Sequence, residues 1–176
     1  TFKDSTHKYW RHKFVDKQEL QEVEKNRNSV AKIFGQEDIA SVKQTHGTDT
    51  IYVRNLKDAE HEPEGDAIIT DQSNLVITVS TADCVPILIT SEDGKLIAAV
   101  HSGWRSARKG IIKNVAQEMR KRGAEKLFAI VGPCIEQKSY EVDSEFYHDF
   151  IQEDEANKKL FIPSKKSDHY LFDLPK

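Results

Sequence analysis

Cysteine is scarce in this chain: Cys84 and Cys134 are the only two in 176 residues. Two thiols do not make a disulfide framework, which excludes the disulfide-stapled class of small secreted domains. No run of about 18 apolar residues is present, so a helical membrane span is excluded. Nor does a basic segment followed by an apolar one mark a secretory leader. An excess of one charge is also missing, since 26 basic residues face 29 acidic ones for a formal net charge of -3. That balance lacks the electrostatic footprint of a nucleic-acid binder, and the basic cluster Arg105, Arg108 and Lys109 is too local to change it. Internal repeats, low-complexity tracts and a local zinc motif of the HExxH type are absent. The composition that remains, 38% hydrophobic and 31% charged, is that of a globular protein. The expectation is one domain over residues 1–176, in the cytoplasm, with no membrane, nucleic-acid or evident protein partner.

Periodicity supplies the elements. Lys17 to Phe34 places Leu20, Val23, Val30, Ile33 and Phe34 at roughly helical spacing, ahead of Gly35 as a stop. The spacing predicts one amphipathic helix, with Asn28 as a point of interruption. SVKQTHG and DTIYVRN read as short strands broken at Gly47, and NLKDAEHEPEGD as a loop. The centre is richest in order: DAIIT, NLVITVST, VPILIT and KLIAAVHS are apolar runs parted by the turn signals Ser73-Asn74 and Asp93-Gly94. A second helix follows, with Ile111, Ile112, Val115, Ala116 and Met119 on one face and Gly123 ending it. KLFAIVG, a Gly132-Pro133 break, a short helix and the strand YLFDL complete a mixed α+β pattern.

Three residues able to bind a soft metal fall at strand ends. His46 follows SVKQ, Cys84 precedes VPILIT, and His101 closes KLIAAV. Strand ends of one sheet can converge, and one thiolate with two imidazoles leaves a fourth position of a tetrahedral zinc ion open, as in catalytic sites. The same residues also read as a buried cysteine, a turn histidine and a hydrogen-bonded strand-end histidine, and spacing alone leaves both readings open. Asp66 and Asp83 are candidates to orient a ligand imidazole or to serve as surface and capping carboxylates. Arg105, after Gly103-Trp104, is a candidate phosphate partner or a salt-bridge former. Trp104 and Tyr140 offer stacking faces or core packing, and Cys134 reads as buried. His7, His12, His61, His148 and His169 sit in polar surroundings and are expected to be solvated.

QTHG, GDAIITD, STADCVPILI, AAVHSGWRSARKGI, IVGPCIEQKSYEV and FDL occur in that order. Together they resemble the laccase-domain, or YfiH-like polyphenol oxidoreductase, family over about residues 26–174. The resemblance implies α/β/β/α layers, a laccase-like domain with further N- and C-terminal segments, and zinc (copper being the alternative) held by His46, Cys84 and His101. It further implies phosphorolysis of adenosine, inosine and 5'-methylthioadenosine, with deamination of adenosine, on nucleoside and phosphate as small-molecule partners. Arg105 then acts on phosphate and Trp104 on the nucleoside. Two departures stand out, Ser102 where the family has alanine and Ser106 where it has glycine. Rival functions are a copper-dependent phenol oxidase, a cysteine hydrolase using Cys84 with His101 as base on an amide or cell-wall precursor, and a non-catalytic metal or partner binder.

Overall fold

The computed structural model describes residues 17–176, with the side chains of residues 17–20 left outside the description. His7 and His12 therefore lie outside the described residues. Helix α1 (Lys17–Ile33) runs without interruption at Asn28 and ends where Gly35 takes φ +70°, the left-handed conformation that glycine adopts without steric cost. Its expected apolar face is not a core face. Val30, Ile33 and Phe34 are 40%, 78% and 62% exposed, while Ala31 is buried and Arg27 reaches Ser41 Oγ and the Ile39 carbonyl. Helical period identified a stripe, but the small Ala31 is what lets the helix approach its neighbour.

Ten strands follow in chain order: β1 (Ala40–Ser41), β2 (Thr50–Tyr52), β3 (Ala67–Thr70), β4 (Ile77–Thr78), β5 (Val85–Ser91), β6 (Ile97–Ser102), β7 (Leu127–Val131), β8 (Glu141–Asp143), β9 (Phe161–Pro163) and β10 (His169–Phe172). Helices α2 (Trp104–Arg108) and α3 (Ile111–Lys121) separate β6 from β7, and α4 (Ser144–Glu153) follows β8. The main sheet has the order β2-β3-β6-β5-β7, with β2 parallel to β3 and the remaining pairs antiparallel. β1 and β4 form a separate parallel pair, and β8-β10-β9 a small antiparallel sheet. The α+β class read from the sequence is the one observed.

Alternation on the main sheet sends successive residues to opposite faces. Ile69, Ala98, Val100 and Ile89 meet Ile111, Val115 and Met119 of α3, all buried. Each of those α3 side chains is fully covered, and such burial stabilises by about 1.5–3 kcal/mol per side chain. On the other face Ile68 and Ala99 meet Ala40, Val42 and Val53 around the β1–β4 pair, outside which α1 lies through Arg27. The result is a helix, a five-stranded sheet, a two-stranded layer and a second helix. A third, aromatic cluster joins α4 to the small sheet through Phe146, Phe150, Phe161 and Phe172. Among the described residues no helix is long and apolar enough to cross a membrane.

Candidate metal centre

The register of the main sheet sets the site. β3 and β6 run antiparallel with Ala67 opposite Val100, and the His101 amide donates to the Asp66 carbonyl at 2.8 Å. His101 therefore leaves β6 beside Asp66, and on its other side it pairs with Pro86 of β5, two residues beyond Cys84. The third residue arrives from the opposite layer. His46 sits in the turn after β1 at φ +58°, a left-handed conformation that costs a non-glycine residue free energy unless its surroundings hold it.

Asp66 does the holding. Its carboxylate is fully buried and accepts from the amides of Thr45 (3.1 Å), His46 (2.9 Å) and Gly47 (2.7 Å), from Thr45 Oγ1 (3.2 Å) and from His101 Nδ1 (2.7 Å). Burial alone would push its proton affinity up. The His101 hydrogen bond and the Gly47 and Thr45 amides outweigh that, and its pKa falls below the ordinary carboxylate value. Since Asp66 is ionised, Nδ1 of His101 carries the proton and Nε2 is left to face the site.

The donor atoms of His46, Cys84 and His101 lie within 4.8 Å of one another, with His46 Nε2 3.9 Å from Cys84 Sγ. The two imidazoles meet edge to face, centroids 4.8 Å apart and planes at 86°. Tetrahedral zinc holds donors about 2.0–2.3 Å from the ion and so roughly 3.3–3.8 Å apart; His46 Nε2 and Cys84 Sγ at 3.9 Å are nearly there, and the widest pair has about 1 Å to close. Gly103 makes room for it: a Cβ there would stand 2.8 Å from His46 Cδ2 and 3.0 Å from Cys84 Sγ. The donor chemistry, the convergence and this cradle fit a single borderline-soft cation. Among the described residues no other group of three His, Cys, Asp or Glu donors comes together.

Charge is distributed unevenly over the imidazoles. Burial depresses His101, but hydrogen bonds to Asp66 and Cys84 raise it past that penalty, to about 9. His46 moves down, chiefly through burial and then through the neighbouring His101 charge, with Arg105 adding to the effect against the pull of Asp66. Arg105 is thus within electrostatic reach of the centre. Its guanidinium lies 4.4 Å over the Trp104 ring, and among the described residues no carboxylate stands within ion-pair distance of it. Trp104 is turned toward α4, edge to face with Phe146 at 5.0 Å. Arg108 is spoken for by Glu153 and the Asp149 carbonyl.

Asp83, weighed equally with Asp66 on sequence, is exposed, and its carbonyl accepts from Ile135. Tyr140 is half-buried against Phe172, its phenol pushed up by burial and by the nearby Cys84. Cys134 is part-covered in the aromatic cluster. His61 and His148 are exposed as expected, whereas His169 is half-buried and bonds to Lys166 and the Ser167 carbonyl. Ser102 and Ser106 are both buried, and the Ser106 hydroxyl has no partner. Periodicity did not reveal the role of Gly103. The signal was its place directly after the strand that delivers His101.

Fold and site together define a layered α+β protein in which His46, Cys84 and His101 converge as one His-Cys-His cluster able to hold a metal ion. The chain belongs to the multi-copper polyphenol oxidoreductase laccase family, whose model matches residues 11–176. It is 40% identical to proteins named purine nucleoside phosphorylase from Rickettsia conorii and Rickettsia prowazekii, over 99% of this chain and 71% of each relative. A third so named, from Aquifex aeolicus, is 38% identical over 77% of this chain and 64% of its own length. Among solved structures, the Bacillus licheniformis hypothetical protein YfiH is 27% identical with a TM-score of 0.76. Neisseria meningitidis protein NMB0706 is 26% identical with a TM-score of 0.74. The chain spans 62% of the length of each of these two structures.

Proposed function

We propose that this chain is a zinc-dependent purine nucleoside phosphorylase of the cytoplasm, cleaving adenosine, inosine and 5'-methylthioadenosine with phosphate and also deaminating adenosine. The observation that carries this reading is the convergence of His46, Cys84 and His101 on one point, in a chain whose 40%-identical relatives bear the phosphorylase name. Zinc at these donors supplies Lewis acidity and keeps one coordination position free. Asp66 fixes the His101 tautomer and the His46 backbone, so both imidazoles present Nε2. Arg105, which no carboxylate neutralises among the described residues, binds phosphate and offsets anionic charge as the glycosidic bond breaks. Trp104 carries Arg105 on one face and borders the nucleoside. Zinc is favoured over copper because Met119, the single methionine, is buried on the core face of α3 and offers no axial thioether, and because a multicopper relay needs further histidine pairs.

A cysteine hydrolase is the second reading, favoured by the line Asp66–His101–Cys84, in which the imidazole bonds the carboxylate and approaches the thiol. One experiment separates the two. Cys84→Ser keeps the size but gives a poor zinc ligand; zinc content and phosphate-dependent release of adenine or hypoxanthine then fall together in a folded protein. If the wild type retains full activity without zinc, and Cys84 alkylates at the same rate with and without chelator, the zinc enzyme is ruled out and the nucleophile stands.

A further inference from the structure

Gln44 opens the QTHG run two residues ahead of His46, and its side chain reaches across to the segment that carries Cys84. Its Nε2 donates to the Ser80 carbonyl at 2.8 Å, and its Oε1 accepts from the Ser80 amide at 2.8 Å. A carboxamide donates and accepts side by side, so Gln44 pairs with both backbone groups of one residue as a partner strand would.

Sheet register explains why Ser80 needs this partner. β1 and β4 run parallel with Ala40 opposite Ile77 and Ser41 opposite Thr78, a register that, continued, sets Lys43 opposite Ser80. The Lys43 backbone is already engaged elsewhere. Its amide donates to the Pro63 carbonyl and its carbonyl accepts from the Gly65 amide, each at 3.0 Å, which turns it toward the segment leading to Asp66. The β1–β4 ladder therefore stops at Thr78, and the Ser80 groups that would be left without partners go to Gln44.

Beyond Ser80 the chain reaches Cys84 outside any strand, and Ala82 and Asp83 are exposed on the way. What ties this segment down is Gln44 at Ser80 and, at the other end, the Asp83 carbonyl accepting from the Ile135 amide at 2.9 Å. The turn on which Gln44 stands is itself firmly held, since Asp66 accepts from the amides of Thr45, His46 and Gly47. Asp66 thus joins His46 to His101, and Gln44 joins the same turn to the segment of Cys84.

We propose that Gln44 is a positioning residue for the metal centre, its carboxamide clamping the Cys84 segment to the His46 turn and so setting the span between these two donors. The proposal rests on the reading of His46, Cys84 and His101 as metal ligands. Gln44 acts on the ion through Cys84 and not by contact, because Ser80 occupies both ends of its carboxamide. Gln44→Glu keeps the length and shape but sets a second acceptor against the Ser80 carbonyl, and Gln44→Leu removes both bonds.

Three measurements on the 176-residue chain test the clamp: Ser80 amide exchange in the metal-free protein, zinc affinity by chelator competition, and the absorption of the cobalt(II)-substituted protein. In both variants Ser80 exchange should accelerate, zinc affinity should fall about 10–100-fold, and the thiolate-to-cobalt absorption per bound ion should weaken, with circular dichroism unchanged. Ser80→Ala should leave all three at their wild-type values, because Ser80 takes part through its backbone. Variants that keep the wild-type zinc affinity and cobalt spectrum, or whose Ser80 amide stays protected, overturn the clamp and leave the metal centre standing. So does a lowered melting temperature with affinity and spectrum retained, since Gln44 then serves the fold alone. A wild type that binds neither ion removes the metal centre, and the clamp's purpose with it.

Discussion

Asp66 and His101, 35 residues apart, are joined by a 2.7 Å hydrogen bond from the imidazole Nδ1 to a fully buried carboxylate that also holds the His46 amide. One side chain thus sets two of the three ligands, which belong to different layers. Asp66→Asn keeps the size but removes the charge and returns an N–H where only acceptors fit. Zinc affinity by chelator competition should fall about 10–100-fold. Nitrogen-15 shifts of the metal-free protein should show His101 losing its fixed Nδ1–H tautomer. An unchanged affinity and tautomer would leave Asp66 a purely structural residue.

Gly103 has an ordinary φ of -77°, so alanine is tolerated by the backbone there. The added Cβ would meet His46 and Cys84 at 2.8 and 3.0 Å. Gly103→Ala should therefore leave the fold and melting behaviour nearly intact while zinc stoichiometry drops sharply. Full zinc occupancy in the variant would show that the cradle has slack.

Arg105→Lys exchanges a planar two-pronged donor for a point charge. The expected outcome is a raised KM for phosphate in phosphorolysis, with deamination, which uses water, suffering less. Equal loss of both activities would assign Arg105 to packing against Trp104.

His101, raised to about 9, is protonated at neutral pH in the metal-free protein, so zinc must displace that proton. Apparent zinc affinity should climb with pH, about tenfold per unit for each proton displaced, and this contribution should level off near pH 9. Metal-free stability runs the other way. A raised histidine value contributes stability that is fully present below the unfolded value near 6.5 and is lost as pH rises through about 9. Thermal melts of chelated protein across that window measure it, and a flat profile would mean that the Asp66–His101 pair contributes nothing.

Much of the fold is legible in the chain's local pattern. The 3.6-residue period of Ile111, Val115 and Met119 locates α3 and its buried face, because amphipathic spacing is a local property. β5 and β6 are visible as apolar runs around Asp93-Gly94, and the residue types His46, Cys84 and His101 at strand ends name the ligand candidates. Local pattern misreads α1, where Val30, Ile33 and Phe34 stay exposed while Ala31 and Arg27 make the contact. It cannot rank Asp66 above Asp83 either. That ranking depends on strand register: pairing Ala67 with Val100 puts Asp66 beside His101, while Asp83 falls outside the sheet. Sequence by itself determined the element types, the α+β class and the donor chemistry, all of which follow from nearest-neighbour spacing. Tertiary structure alone decided that a turn from one layer and two strands of another meet within 4.8 Å, and that among the described residues the β1–β4 layer covers Ile68 and Ala99 while Leu88 and Ile130 stay exposed. Both depend on long-range pairing, and a residue's neighbours across a sheet are not written in its neighbours along the chain.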